Sequence, residues 1–359
     1  MHIDPATFPA PSAREEGWRF TPVSPVLTAL TAEAGKVVVE ASAAPGVTVT
    51  AIDRNDSRFG AILTPADQVI ATAMAKFAVG TAVTVARNTM SDQPTVITVR
   101  GEGGGTSFGH LIVDVEEGAE ALLVLDHSGA ANFFANAEYR LGGGSSLTVV
   151  SLQDWDDGSV HVGHHAVLVG RDARFKSFVV SLGGSLVRLA TTIAYDGPGG
   201  DAELLGLCFA DAGQHLEHRL LVDHQAPHCR SRVNYKGALQ GQDAHTVWIG
   251  DVVIGPKAVG TDTYEVNRNL VLSDGARADS VPNLEILTGE IVGAGHASAT
   301  GRFDDQQLFY LMSRGIPADE ARRLVVRGFF HEIIAQIGVP ELRDRLVAAV
   351  DAELEGSVL

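Results

Sequence analysis

A single histidine stands among small residues near the C-terminal end of the chain. The run GAGHASATG, residues 293–301, surrounds His296 with glycine, alanine, serine and threonine. Because small side chains leave the backbone uncovered, another chain or a cofactor can approach it closely. An accessible imidazole at such a place can bind a transition metal or carry a proton near neutral pH. One histidine does not hold a metal cluster alone, so a site here needs further ligands from a partner.

Most of the other histidines lie in two clusters, HVGHH at 161–165 and HLEHRLLVDHQAPHC at 215–229. Alternate residues of a strand share a face, so His161 aligns with His165 and opposes His164. Neither cluster makes the compact set of three or four ligands that zinc requires, although assembly between distant segments stays open. We therefore predict solvent-facing or stacked histidines rather than a metal site.

Two further motifs suggest chemistry that the sequence argues against. Glycine-rich GEGGGT (101–106) and GGGSS (142–146) lack the Lys-Ser/Thr ending of a phosphate loop, so we predict turns and no ATP or dinucleotide site in this chain. The acid pairs Asp156–Asp157 and Asp304–Asp305 suggest glycoside hydrolysis, which uses two carboxylates. Adjacent residues of a strand diverge, however, and aromatic residues that would stack on a sugar make up only 6% of the chain. A polysaccharide enzyme is therefore disfavoured.

The composition is that of an acidic chain of 359 residues with a formal net charge of −17. Binding to nucleic acid without sequence preference needs a basic face, so the charge argues against a nucleic-acid partner. The N-terminus lacks the apolar core of a signal peptide, and no stretch approaches the roughly 18 apolar residues of a membrane span. The two cysteines, Cys208 and Cys229, are too widely spaced for a disulfide framework. Cys208 is predicted to be a small core residue and Cys229 the more accessible thiol. Together these features predict a cytoplasmic protein.

A turn-plus-strand unit recurs between residues 96 and 302. It is clearest in EEGAEALLVLD, GGGSSLTVVSLQD, GRDARFKSFVVSL and GPGGDAELLGLCF, and weaker in SDGARADSVPNLEI near Gly275. The clear copies stand roughly 25–29 residues apart, a period typical of solenoids. An all-β core is therefore predicted, as a parallel β-helix in which each unit makes one coil and buries its apolar face against the next. An antiparallel sandwich is the alternative, since short strands also suit that fold.

Flanking segments of different character are predicted at 1–95, which is mixed, and at 303–359, which is helical. In the first, Thr64 is predicted to cap a helix that starts at Pro65. In the last, Asp304 and Gln307 have the spacing of a capping box, and apolar residues then repeat at helical intervals. Three short helices of this kind can cover an open end of the solenoid or present a groove to another protein.

Several separated blocks resemble one known family. RSRVNYKGALQGQDAHTVWIGDVVIG, TDTYEVNRNLVLSDGARADSVPNLEI and GHASATGRFDDQQLFYLMSRGIPADEARRLVVRGFFHEII resemble the SUF iron–sulfur assembly scaffolds of the SufB/SufD family. REEGWRFTP at 14–22 resembles the opening of SufD-like chains. The block at 292–301 lacks the cysteine of SufB-like chains. The retained His296, the short length and the N-terminal block favour the SufD-like branch. Ala294 departs from that pattern, because SufD-like chains often carry cysteine there.

The resemblance implies a right-handed parallel β-helix in a complex with a SufB-like paralogue and a SufC-like ATPase. Nascent iron–sulfur clusters or iron would be shared with the paralogue, and ATP hydrolysis would belong to the ATPase. We expect His296 to face a cysteine of the paralogue and to serve transiently as a metal ligand or proton relay. The C-terminal helices would dock the ATPase through Leu308, Leu311, Phe329, Phe330 and Ile333. A homodimer of the isolated chain, flavin binding and a purely architectural role stay open.

Overall fold

The computed structural model describes residues 3–302 and 305–356. Two short 3-10 turns, at Pro5–Thr7 and Glu16–Trp18, precede the first helix. The helices are α1 (Val23–Leu30), α2 (Gln68–Lys76), α3 (Asp305–Ser313), α4 (Ala318–Ile334) and α5 (Pro340–Gly356). The strands are β1 (Val37–Ser42), β2 (Val47–Ile52), β3 (Gly80–Val85), β4 (Met90–Gly101), β5 (Thr106–Val115), β6 (Glu120–Gly129), β7 (Asn132–Leu141), β8 (Ser146–Trp155), β9 (Val160–Val169), β10 (Arg174–Ser181), β11 (Leu186–Tyr195), β12 (Asp201–Ala210), β13 (His215–His224), β14 (Arg230–Leu239), β15 (His245–Ile254), β16 (Asp262–Val271), β17 (Arg277–Ile286) and β18 (Gly293–Arg302).

Successive strands alternate between two sheets, and this alternation makes a parallel β-solenoid. Sheet I has the order β1-β4-β6-β8-β10-β12-β14-β16-β18, and sheet II has the order β17-β15-β13-β11-β9-β7-β5-β3-β2. From β3 and β4 onward all pairings within each sheet are parallel. The predicted β-helix is thus confirmed, and the antiparallel sandwich is wrong. The four clear repeats are β6, β8, β10 and β12 of sheet I, because each full coil returns the chain to the same sheet; the weaker repeat is β17, in sheet II.

The interior between the sheets holds the main apolar core. Side chains alternate along each strand, so Leu123 and Val149 of sheet I, which are partners in register, point inward and stack on each other, and Leu204 two coils further on also points inward. Glycines with positive φ serve the turns between coils, including Gly104 of the first glycine cluster and Gly144 of the second. This confirms that both clusters are turns.

The outer face of sheet I is also apolar, and helices α4 and α5 cover it. Val150, Phe178 and Leu207 of the sheet form one buried cluster with side chains of both helices. Lys236 on β14 binds the Glu332 carboxylate of α4 at 2.6 Å, which adds a polar attachment. Helices α4 and α5 therefore lie against a side of the solenoid, so the alternative in which the C-terminal helices cover its open end is wrong for these two. No helix among the described residues is long and apolar enough to cross a membrane.

The N-terminal segment covers the outer face of sheet II. Helices α1 and α2 pack on Ile112, Phe134 and neighbouring side chains of that sheet. The cap of α2 is Asp67, whose carboxylate accepts a hydrogen bond from the Ile70 amide at 2.9 Å. The predicted start at Thr64 is thus too early, because Asp67 is the residue whose side chain reaches the free amides of the first turn.

The REEGWRFTP block has a structural role at this face. Trp18 lies against the Arg188 guanidinium of β11, 4.2 Å from ring centroid to the guanidinium carbon. Its indole N–H donates to Asp67 at 3.2 Å, and Thr21 donates to the buried Glu217 of β13 at 2.6 Å. The block thereby joins α2 and sheet II through buried polar contacts, which fixes the path of the N-terminal segment.

Candidate functional site

The solenoid ends at strands β17 and β18, and each of them pairs with only one neighbouring strand in the described chain. Both strands are ten residues long. Most residues of β18 from His296 onward are exposed, and so is Val292 just before the strand, at 75%. The outer side of such an edge strand presents a row of free amides and carbonyls that another chain can join. This open end is therefore suited to meet a second β subunit.

The interior changes from apolar to polar as it reaches the open end. One inward column of sheet I runs in register through Leu204, Val233, Glu265 and His296, on β12, β14, β16 and β18. Two apolar side chains are thus followed by a carboxyl and an imidazole. The imidazole on β18 has no further coil to bury it, whereas the carboxyl on β16 is buried one coil deeper. The imidazole is consequently available to whatever covers that end.

Glu265 is the unusual member of this column. Its side chain is only 2% exposed, and neither carboxyl oxygen has a hydrogen-bond partner among the described residues. Burial, and then the negative charge of Asp251, raises the pKa of Glu265 to about 8. Burying a carboxyl without hydrogen-bond partners destabilises a fold. Its presence in this column therefore indicates a role other than packing.

His296 lies directly above Glu265. The imidazole Nδ1 is 3.8 Å from the Glu265 Oε1, and the histidine side chain is 42% exposed. The structure therefore places His296 at the rim of the open end, with one face toward the interior carboxyl and the other toward solvent. An imidazole nitrogen and a carboxyl oxygen so placed can share a proton or a metal ion.

A hydrogen-bonded network fills the interior beside this pair. Asn267 accepts from Asn269 at 2.8 Å and from Ser280 at 2.6 Å, and Asn269 also donates to Thr300 of the last strand at 3.3 Å. These groups satisfy one another across β16, β17 and β18. The network holds the rim strands together and offers no hydrogen bond to Glu265.

Glu265 was not singled out from the sequence, although a signal for it exists. In TDTYEVNRNL the inward positions of β16 are Thr263, Glu265, Asn267 and Asn269. The corresponding strands of earlier coils carry mostly apolar residues at those positions. A strand whose inward side chains are polar indicates that the apolar core of the solenoid ends at that coil.

Most histidines of the two clusters are buried, so the prediction of solvent-facing histidines is wrong for them and holds for His228, which is exposed. The prediction of stacked histidines holds for His215 and His245, neighbours in register whose Nδ1 atoms lie 3.0 Å apart. His127 and His165 line a pocket of about 410 Å³ at the opposite end of the sheets. Burial lowers the pKa of His127 to about 4 and that of His165 to about 3, so both are neutral. The described residues contain no group of three or more side chains arranged for a metal ion.

The two cysteines are both buried. Cys208 is a core residue, as predicted, and burial raises the pKa of its thiol to about 12. Cys229 is only 1% exposed, so the prediction that it is the more accessible thiol is wrong. Its turn is stacked between the turns of adjacent coils, and its thiol lies 3.5 Å from the Gly197 carbonyl oxygen. Neither thiol is placed for sulfur chemistry at the surface.

The predicted docking residues fall into two groups. Phe330 and Ile333 are fully buried in the cluster that attaches α4 to sheet I. Phe329 is half-buried beside Lys236, and Leu311 is half-buried on α3. The side chain of Leu308, and the predicted capping pair that includes Asp304, lie outside the described residues.

Helix α3 instead exposes three large apolar residues that were not among the predicted docking residues. Phe309 is 73% exposed, Tyr310 is 54% exposed and Met312 is 45% exposed. Contiguous exposed apolar groups of this kind mark surfaces that meet other proteins. Helix α3 therefore presents an exposed apolar surface in the C-terminal segment.

Comparison with known proteins identifies the family. The family "SUF system FeS cluster assembly, SufBD core domain" matches residues 96–329. An iron-sulfur cluster assembly SufBD family protein of Mycobacterium tuberculosis is 54% identical over 98% of this chain and 91% of its own length. The iron-sulfur cluster assembly protein SufD of Escherichia coli is 27% identical over 72% of this chain and 62% of its own length. SufD of Bacillus subtilis is 24% identical over 76% of this chain and 63% of its own length. The chain belongs to the SufBD family of iron–sulfur cluster assembly proteins.

Proposed function

We propose that this protein is a SufD-type scaffold subunit that pairs with a SufB-type paralogue through the open end of its solenoid. The observation that carries the proposal is the exposed His296 on an unpaired edge strand, above a polar interior. Edge strands β17 and β18 would continue the two sheets into the partner, and this pairing would cover the rim. The isolated chain can use the same edges to form a homodimer.

In this proposal the iron–sulfur cluster, or its iron, is cargo built at the seam between the two subunits. His296 supplies one nitrogen donor, and a thiolate of the paralogue supplies sulfur, a combination that suits iron. Cys208 and Cys229 are buried and take no part. The scaffold then acts by positioning ligands, without an enzymatic reaction of its own.

The ATP-driven step belongs to a SufC-type ATPase that docks on the C-terminal segment. The buried Phe330 and Ile333 support this docking indirectly, by fixing α4 to sheet I. The exposed surface of α3, with Phe309 and Tyr310, is the contact that we assign to the ATPase. Closure of the ATPase would pull on helices attached to the solenoid and so open or expose the seam. The site of this work would be the cytoplasm.

Replacing His296 with alanine tests the role of the imidazole. The complex of the variant with a SufB-type paralogue and a SufC-type ATPase should assemble normally, because the side chain is partly exposed and its neighbours in β18 are small. Iron and acid-labile sulfide bound per complex should fall well below the wild-type content. Arg302→Ala on the same strand is a matched control, because its side chain is exposed and pairs with the surface residue Asp274.

A purely architectural scaffold is the second candidate, and the same experiment separates it. Unchanged iron and sulfide in the His296→Ala complex would favour that candidate and contradict the proposed role of the imidazole. This result would not bear on the proposal that the ATPase docks on the C-terminal segment.

A further inference from the structure

Three glutamates are buried in the solenoid, and two of them are fully satisfied. Glu138 accepts from the backbone amides of Gly60, Ile62 and Leu63 at 2.7 to 3.0 Å, and His110 lies 2.9 Å from it. Its carboxylate therefore anchors the loop that precedes α2. This is how a fold normally treats a buried carboxylate.

Glu217 is satisfied in a different way. Thr21 donates to it at 2.6 Å, and the His215 imidazole nitrogen lies 3.1 Å from the same oxygen. The guanidinium of Arg188 lies 3.4 Å from the other oxygen. Opposite charge and hydrogen bonds thus compensate the burial of this carboxylate.

Glu265 is as deeply buried as these two and has none of their partners. Both of its oxygens lack a hydrogen bond within the described chain, and the nearby charged group is another acid, Asp251. The polar network of Asn267 and Asn269 is satisfied without it. A buried carboxyl that the fold leaves unpartnered points to a role other than packing, such as binding a water or an ion.

The space around Glu265 is kept open by a glycine. A Cβ at Gly250 on β15 would lie 2.4 Å from Glu265 Oε2 and 2.5 Å from the Trp248 ring. The missing side chain at this position is therefore what lets the carboxyl and the indole occupy the same part of the interior. The carboxyl can then reach toward His296 at the rim.

The distance between the two donors fits one metal ion after a small adjustment. Donors that each lie about 2.1 Å from a tetrahedral or octahedral ion are about 3 to 3.5 Å apart. Glu265 Oε1 and His296 Nδ1 are 3.8 Å apart, and both side chains have rotatable bonds. A mixed oxygen and nitrogen set suits divalent first-row metals such as ferrous iron.

We propose that Glu265 and His296 together form a two-donor site for a divalent first-row metal ion, with ferrous iron as its cargo. This rests on the proposed function, because the partner subunit or water must complete the coordination. Glu265 is the fixed interior ligand, held by the packing of β16, and His296 is the ligand at the rim. The open end can then hold iron on this chain before a cluster is formed.

Cobalt(II) is the probe for this site, since its visible absorption reports both binding and coordination. The purified full-length chain and its complex with the SufB-type paralogue are titrated with Co²⁺, and Fe²⁺ is then added anaerobically as a competitor. Glu265→Gln and His296→Ala are each compared with Glu285→Gln, an exposed glutamate on β17. Thermal melting of each variant verifies that it is folded, and Glu265→Asp provides a second variant that keeps the carboxyl.

We expect wild type, Glu285→Gln and, more weakly, Glu265→Asp to bind Co²⁺ that Fe²⁺ displaces. Glu265→Gln and His296→Ala should each weaken binding about tenfold or more, since even the loss of an outer-sphere partner costs that much. Equal Co²⁺ affinity in wild type and folded Glu265→Gln would overturn this inference, as would wild-type protein that binds no Co²⁺ in either form. Iron and sulfide content of the His296→Ala complex is a separate readout, so the proposed function can fail or survive independently.

Discussion

Glu265 and His296 are partners in register on β16 and β18, with the carboxyl Oε1 3.8 Å from the imidazole Nδ1. The first is enclosed by the last complete coil, and the second is exposed on a strand whose outer edge pairs with no other strand of the described residues. The pair therefore spans the boundary between the packed interior and the surface. Any subunit that extends the sheets will cover the imidazole and enclose the carboxyl further.

Replacing Gly250 with alanine should displace the Glu265 carboxyl, the buried member of the pair with His296. The added Cβ would meet the Glu265 carboxyl and the Trp248 ring at 2.4 and 2.5 Å, so one of them must shift. Overpacking of this kind costs about 1–3 kcal/mol, which urea denaturation would measure. Gly301→Ala is the control, because a Cβ there meets nothing within 4 Å. Similar unfolding midpoints for the two variants would show that the interior at Gly250 is looser than described.

Phe330 and Phe309 should respond oppositely to truncation. Phe330 is fully buried between α4 and sheet I, so Phe330→Ala should lower the free energy of unfolding by about 3–5 kcal/mol. Phe309 is 73% exposed, and Phe309→Ala should change stability by no more than about 0.5 kcal/mol.

Binding of the ATPase to the Phe309→Ala variant tests whether α3 is the docking surface. Calorimetry with a purified SufC-type ATPase should show that Phe309→Ala weakens binding by about tenfold or more, as expected for an aromatic residue at the centre of an interface. Wild-type affinity in Phe309→Ala would contradict the assignment of α3 as the docking surface.

The buried ion pair at the N-terminal face should make the fold sensitive to acid. Burial alone would raise the pKa of Glu217, but the hydrogen bond from His215 and the charge of Arg188 lower it to about 2 from 4.5. Since the folded carboxyl binds its proton less readily than the unfolded one, it stabilises the fold above about pH 4.5. This contribution is lost as the pH falls towards 2.

Urea denaturation across that pH range checks this linkage. Glu217→Gln should lose about 3–5 kcal/mol at neutral pH, because Arg188 is left buried without its partner. Its stability should then fall less steeply than that of wild type below pH 4.5. Glu203→Gln, which removes a partly exposed partner of Lys176, should keep the wild-type slope. Parallel pH profiles for wild type and Glu217→Gln would contradict the assigned pKa.

Features that depend on local repetition were predictable from the sequence. A coil of the solenoid is a short unit, and stacking the same unit repeatedly leaves a period that the strands β6, β8, β10 and β12 display. The family was likewise predictable, since its blocks are contiguous runs. His296 was predictable as an accessible imidazole because its own neighbours are small, and no distant contact was needed to see it.

Features that depend on register between coils were decided only by the tertiary structure. Which residue lies beneath His296 depends on the lengths of the turns between β16 and β18, and these bring Glu265 into the same column. Turn stacking likewise buried Cys229, whose local sequence resembles an exposed turn. Strand runs such as ALLVL are apolar on both sides, and an apolar outer face must be covered, so α4 and α5 lie on sheet I rather than across the open end. Local sequence patterns determine the turn-plus-strand unit and its period. The pair of Glu265 and His296 forms only because the stacking of coils aligns residues that are distant in the sequence.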